Sequence, residues 1–99
     1  MRPIHIAKLD KRRPVLVLTR DAVRPYLNQV TVAPITSTVR GTPNELEIGA
    51  VNGIDHGSVA NLDLVTTIPV HDLGNLIGYL RPDQEAALSA AIRYAYDLK

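Results

Sequence analysis

Two short stretches of this 99-residue chain hold side chains suited to handling a phosphate. Arg12-Arg13-Pro14 introduces the apolar run Val15 to Leu18, and Val30-Thr31-Val32-Ala33-Pro34-Ile35 runs into Thr36-Ser37-Thr38. Each apolar run reads as a strand. One has guanidinium groups at its entrance, the other a cluster of hydroxyls at its exit. If the two strands pair, an arginine of the first and a threonine of the second can converge on one phosphate. The guanidinium brings a planar fork of donors and a permanent charge, and the hydroxyl adds a further donor. Lys11, Arg12, Ser37 and Thr38 extend the set, and Arg40 follows on a Gly/Pro-containing loop. There is no cysteine, and His5, His56 and His71 show no ligand spacing, so thiolate chemistry and a metal site are not expected, nor is a cofactor.

The elements that must position these groups are short. Ile4 to Leu9 half-alternates as a strand does, Asp10 to Arg12 reads as a basic turn, and Arg13 to Thr19 reads as a buried strand. Asp21 to Asn28 is ambiguous, because Asp21 can cap a helical turn that Pro25 then discourages. Val30 to Ile35 is a second buried strand, with Pro34 suggesting an edge or a bulge. Thr38 to Asn44 reads as a mobile loop able to close over a ligand. Strands are expected over Glu45 to Ile48, Ser58 to Asn61, Leu64 to Val70 and Leu76 to Leu80, with turns at Asn52-Gly53, His56-Gly57 and His71 to Asn75. Pro82 opens a helix with Asp83 and Glu85 in its first turn, running from Ala86 to Leu98 with Leu88, Ile92, Ala95 and Tyr96 on one face. Tyr94 and Tyr96 are expected to pack, whereas Tyr26 and Tyr79 suit either base stacking or anchoring. Several short strands and one terminal helix indicate a small barrel-like sheet with a helix against it, one domain over residues 1–99.

Composition narrows the partners. The hydrophobic share is 45% and the net charge +1, as in ordinary globular chains. The charge is unevenly spread. Residues 1–40 carry a balance of +6 and residues 41–99 a balance of −5. A basic half suits an anionic partner such as nucleic acid, although charges separated along the chain can also interleave in space. Lack of Phe and Trp makes the core aliphatic. A chain this short commonly gains stability as a dimer. The absence of cysteine fits the cytosol, the first 13 residues lack a signal-peptide apolar region, and no stretch is long enough to span a bilayer.

At four places in order the chain resembles the MazF/PemK/Kid family of toxin endoribonucleases. These are Arg13-Pro14 before a hydrophobic strand; Val32-Ala33-Pro34-Ile35-Thr36-Ser37; Gly57-Ser58-Val59-Ala60-Asn61-Leu62-Asp63 leading into Val65-Thr66-Thr67-Ile68; and Ile77-Gly78 before the helix. The resemblance implies a mainly β, SH3-like barrel with a C-terminal helix, a homodimer, and metal-independent cleavage of single-stranded RNA (messenger, transfer or ribosomal). It also implies neutralisation by a MazE-type antitoxin. The family's catalytic arginine and threonine fall on Arg13 and Thr36, with Lys11, Arg12, Ser37, Thr38, Arg40, Ser58 and Asn61 as expected substrate contacts. The longer first loop of most members carries a glutamate. Here only Asp10, Lys11 and Arg12 separate Leu9 from Arg13, so that glutamate has no counterpart.

Such cleavage uses the neighbouring 2′-OH as nucleophile and leaves a 2′,3′-cyclic phosphate and a 5′-OH. Arg13 would stabilise charge on the phosphoryl oxygens, and Thr36 would donate to one of them. Arginine is a poor base, so His5, Asp10, His56 and Asp63 are the candidates for proton transfer. Electrostatics and in-line positioning without a strong base remain an alternative. Two other readings stand beside this one. A non-catalytic SH3-like nucleic-acid-binding module accounts for the basic half. A gyrase-poisoning toxin of the same fold would need bulky C-terminal residues including tryptophan, whereas this chain ends Tyr96-Asp97-Leu98-Lys99.

Overall fold

A tight hairpin opens the chain and sets the frame for everything after it. In the computed structural model, which describes residues 1–99, β1 (Arg2–Lys8) and β2 (Arg12–Val17) pair antiparallel, with Ile4 opposite Leu16 and Lys8 opposite Arg12. Leu9 N–H donates to the Lys11 carbonyl at 3.0 Å, so the connection is closed almost as soon as it begins. β3 (Gln29–Thr36) then pairs with β2, with Val15 opposite Pro34 and Val17 opposite Val32. The ambiguous segment between them holds a short 3-10 turn, Arg24–Tyr26, with Pro25 in its first positions, where a missing N–H costs nothing.

Beyond β2 the sheet divides along β3. Gln29 to Val32 pair with β6 (Thr66–Pro69), whereas Ile35 and Thr36 pair with β5 (Ser58–Asn61), which in turn pairs with β4 (Glu45–Ile48). β7 (Leu73–Leu80) lies on the other side of β1, giving the order β4-β5-β3-β2-β1-β7. The result is a curled, half-barrel sheet closed by α1 (Glu85–Ala95), which follows a 3-10 turn at Pro82–Gln84.

Pro34 therefore sits neither on an edge strand nor at a bulge. Leu18 N–H donates to the Thr31 carbonyl at 2.8 Å, so odd-numbered residues of β3 turn their polar groups to β2 and even-numbered ones to the opposite side. On that side Val32 is the last residue paired with β6 and Ile35–Thr36 the first paired with β5. The missing N–H falls in the gap where no ladder bond is needed.

The expected turn at His71 to Asn75 is also corrected. A 3-10 turn covers Val70–Asp72, and the last strand starts at Leu73 rather than Leu76. Pairing with β1, Ala7 opposite Leu73, overrides the turn preference of Gly74 and Asn75. A Cβ at Gly74 would fit tightly, 3.1 Å from the Ile6 carbonyl oxygen and 3.2 Å from an Arg12 guanidinium nitrogen.

Two aliphatic clusters occupy the two faces. The larger joins Ile4, Leu16, Ala33, Ile35, Leu46, Ile48 and Leu62 to Leu88 and Ala91 of α1. The smaller gathers Ala7, Val15, Val17, Val30, Val32 and Ile68. The alternation along β2, Val15 and Val17 to one cluster and Leu16 to the other, explains why that run is apolar at every position. The helix stops at Ala95, earlier than its alanine content suggests, and Tyr94 and Tyr96 are exposed rather than packed. Tyr96 caps the helix and so leaves the periodic face. No helix is long and apolar enough to cross a membrane.

Candidate active site

The β2–β3 register does what the two motifs require. Continuing from Val15 opposite Pro34 by two residues sets Arg13 across from Thr36, and both line one cleft of about 450 Å³. Arg13 is three-quarters buried. One guanidinium nitrogen donates to Asp10 Oδ2 at 3.1 Å, while its Nε is buried without a partner. An unpaired buried donor costs about 1–3 kcal/mol, and this N–H remains free to donate. Thr36 Oγ1 accepts a hydrogen bond from Thr38 N–H at 3.1 Å, which fixes the hydroxyl and leaves its own proton to donate.

The opposite wall of the cleft is the connection between β4 and β5. It begins with a 3-10 turn, Ala50–Asn52, and passes Gly53, Ile54, Asp55 and His56 before Ser58, all of these last five residues facing the cleft. Asn52 is fully buried and pins this segment. Its amide donates to the Tyr79 carbonyl at 2.9 Å and to Gln84 Oε1 at 2.7 Å, and its oxygen accepts from Gly49 N–H at 3.1 Å and from the Gln84 amide at 3.2 Å. Next to it the backbone crosses β7 at van der Waals distance. Gly53 has φ +88°, and a Cβ there would lie 2.0 Å from the Ile77 carbonyl oxygen; a Cβ on Gly78 would lie 1.9 Å from the Asn52 carbonyl oxygen. Only two glycines allow this crossing. At the rim, His56 Nδ1 is 3.0 Å from Asp55 Oδ1. That hydrogen bond, with the charge of the imidazolium, holds the Asp55 carboxyl below its ordinary range.

Of the other candidate residues, Lys11, Ser37 and Ser58 also line the cleft, whereas Arg12, Thr38, Arg40 and Asn61 do not. Arg12 points the other way and lies over Gly74. Thr38 contributes its backbone N–H rather than its hydroxyl. Asn61 is occupied structurally, accepting from Asp63 N–H at 2.9 Å and from the Asn44 amide at 3.1 Å. Arg40 stands on a loop that is held rather than mobile. Its backbone N–H and those of Gly41 and Thr42 converge on the Glu45 carboxylate at 2.8–3.4 Å. Among the proton-transfer candidates, His5 is tied to the Gly74 carbonyl oxygen at 2.9 Å and lies outside the cleft. A larger depression of about 920 Å³, lined by Arg2, Thr19, Arg20 and Gln29, shares no residue with this cleft; the smaller cleft is the candidate because the convergent donors are there.

Comparison with known proteins identifies the family. Residues 3–96 match the model of the PemK-like, MazF-like toxins of type II toxin–antitoxin systems. The chain belongs to that family. It is 61% identical over 98 residues to the endoribonuclease MazF3 of Mycobacterium tuberculosis, covering 99% of this chain and 95% of that protein. It superposes on the solved Mycobacterium tuberculosis toxin MazF-mt6 with a TM-score of 0.97 and 60% identity, over 99% of both chains. A mycobacterial endoribonuclease solved with its cognate antitoxin shares the fold, with a TM-score of 0.87 at 22% identity over 98% of this chain and 93% of that one.

Proposed function

We propose that this MazF-family member is an endoribonuclease toxin that cuts single-stranded RNA without a metal. The observation carrying the mechanism is Arg13 beside Thr36 in one cleft, with the Arg13 Nε buried and unpartnered. A phosphodiester entering the cleft meets the guanidinium and the Thr36 hydroxyl together. As the 2′-oxygen attacks phosphorus, negative charge grows on the non-bridging oxygens, and the guanidinium and the Thr36 hydroxyl stabilise it there without rearranging. The bond from phosphorus to the 5′-oxygen breaks, leaving a 2′,3′-cyclic phosphate and a 5′-OH. Lys11 and Ser37 hold the neighbouring backbone as cation and donor, whereas the hydroxyl of buried Ser58 is taken up by the His56 carbonyl. The protein works as a homodimer, one domain per chain, in the cytosol, and a MazE-type antitoxin neutralises it by binding.

The test is cleavage of a long RNA in EDTA with the 5′-end chemistry mapped. Wild type should give discrete 5′-OH ends, and Arg13→Ala should lose about 10²–10³-fold in rate while keeping its fold and mass in solution. Folded wild-type protein that leaves varied RNAs uncut overturns the proposal.

A further inference from the structure

Resting on that RNA-cleaving reading, we infer that His56 is the proton-transfer residue of the cleft, its imidazole taking the proton from the attacking 2′-OH while Asp55 orients the ring. Four residues were candidates on chemical grounds, and the structure separates them. His5 is engaged with the Gly74 carbonyl outside the cleft, Asp10 is spent on Arg13, and Asp63 lies in the turn after β5 away from the cleft. His56 alone combines a place in the lining with an imidazole's range near neutrality.

Its surroundings fit the task. When Nδ1–H donates to the Asp55 carboxylate, Nε2 of the neutral ring keeps its lone pair for the substrate proton. Once the proton is taken, the adjacent carboxylate stabilises the imidazolium. The ring also stands on a supported segment. Two residues before Asp55, Gly53 is locked against β7, and two residues after His56, Ser58 begins β5 with its hydroxyl donating to the His56 carbonyl at 3.4 Å. The histidine thus lines the cleft with Arg13 and Thr36 from a different element.

The step balances with water as the only co-reactant. The 2′-OH proton passes to His56 Nε2, the O2′–P bond forms and the P–O5′ bond breaks. The departing 5′-oxygen takes a proton from water, and the imidazolium returns its own to solvent. The charged groups facing His56 are Asp55 on its own segment, Lys11 on the β1–β2 turn and Arg13 on β2.

Single-turnover cleavage of a short RNA spanning one mapped cut site, followed from pH 5 to 8.5, tests this. The wild-type rate should climb through the imidazole range, about pH 6–7, and then level. His56→Gln should be slower by about 10²-fold or more and lose that rising limb, and added imidazole should restore cleavage to His56→Ala. Asp55→Asn should keep the limb but lower the plateau rate, because the ring loses the carboxylate that orients it. Both side chains are exposed, so circular dichroism should match wild type. A His56→Gln protein that cuts at the wild-type rate, or a slow one that keeps the limb in place, overturns the inference and leaves the ribonuclease reading standing. Wild type that cuts nothing removes both.

Discussion

The two walls of the cleft are built by different physics. The strand wall, β2 against β3, is held by a regular ladder and by aliphatic clusters on both sides, so Arg13 and Thr36 are placed by register. A register error of one residue would turn one of them out of the cleft, and burial on both faces makes such a slip costly. The loop wall has no ladder. It depends on one buried amide pair, Asn52 with Gln84, and on two glycines whose backbones touch. The strand wall can lose the Arg13 or Thr36 side chain without losing shape, whereas the loop wall takes its shape from Asn52, Gln84 and the glycine crossing.

That contrast can be broken from the loop side first. Gly53→Ala meets both a left-handed backbone and a carbonyl at 2.0 Å, so we expect it to destabilise the fold by on the order of 3 kcal/mol, read by thermal or denaturant unfolding. Asn52→Ala removes two donated and two accepted hydrogen bonds and strands the Gln84 amide, with an expected cost of about 2 kcal/mol by the same measurement. On the strand side, Thr36→Val keeps shape and β-propensity but deletes the hydroxyl. It should slow RNA cleavage about 10-fold, roughly 1.4 kcal/mol in the barrier, with unfolding nearly unchanged. A Thr36→Val protein that unfolded as easily as Gly53→Ala would erase the distinction. The smallest effect is expected at Glu45→Gln, whose amide holds the Arg40 to Thr42 N–H groups less strongly: stability within about 1 kcal/mol of wild type, with faster hydrogen exchange confined to those three amides.

The same division governs what could be read from the chain before folding. β2, β3, β4 and β5 announce themselves because their apolar pattern is local, and the pairing that unites Arg13 with Thr36 follows once β2 and β3 are taken as neighbours. Gly74 and Asn75 mislead because their turn preference yields to pairing with β1, a contact some 65 residues away in the chain. Asn52-Gly53 is legible as a turn, but its fit against Gly78 is not, since a close backbone crossing leaves no periodic trace. The loop after β3 looked mobile from Gly41 and Pro43, and only the three N–H groups gathered by Glu45 reveal that it is held. Asn61 carried the right chemistry for a substrate contact, but hydrogen bonds to Asn44 and Asp63 already use its carbonyl oxygen.

The division of β3 has a further consequence at Pro34. Where two strands part from a shared neighbour they leave a notch, and a notch lined with free N–H groups invites another chain to insert and extend the ladder. Here the residue at the notch has no N–H to offer, and its ring occupies the space. This largely buried strand is thereby closed to invasion at its one unpaired step. During synthesis, when many copies of this aliphatic sheet are forming side by side, such a stop keeps neighbouring chains from knitting together before each has curled on its own helix.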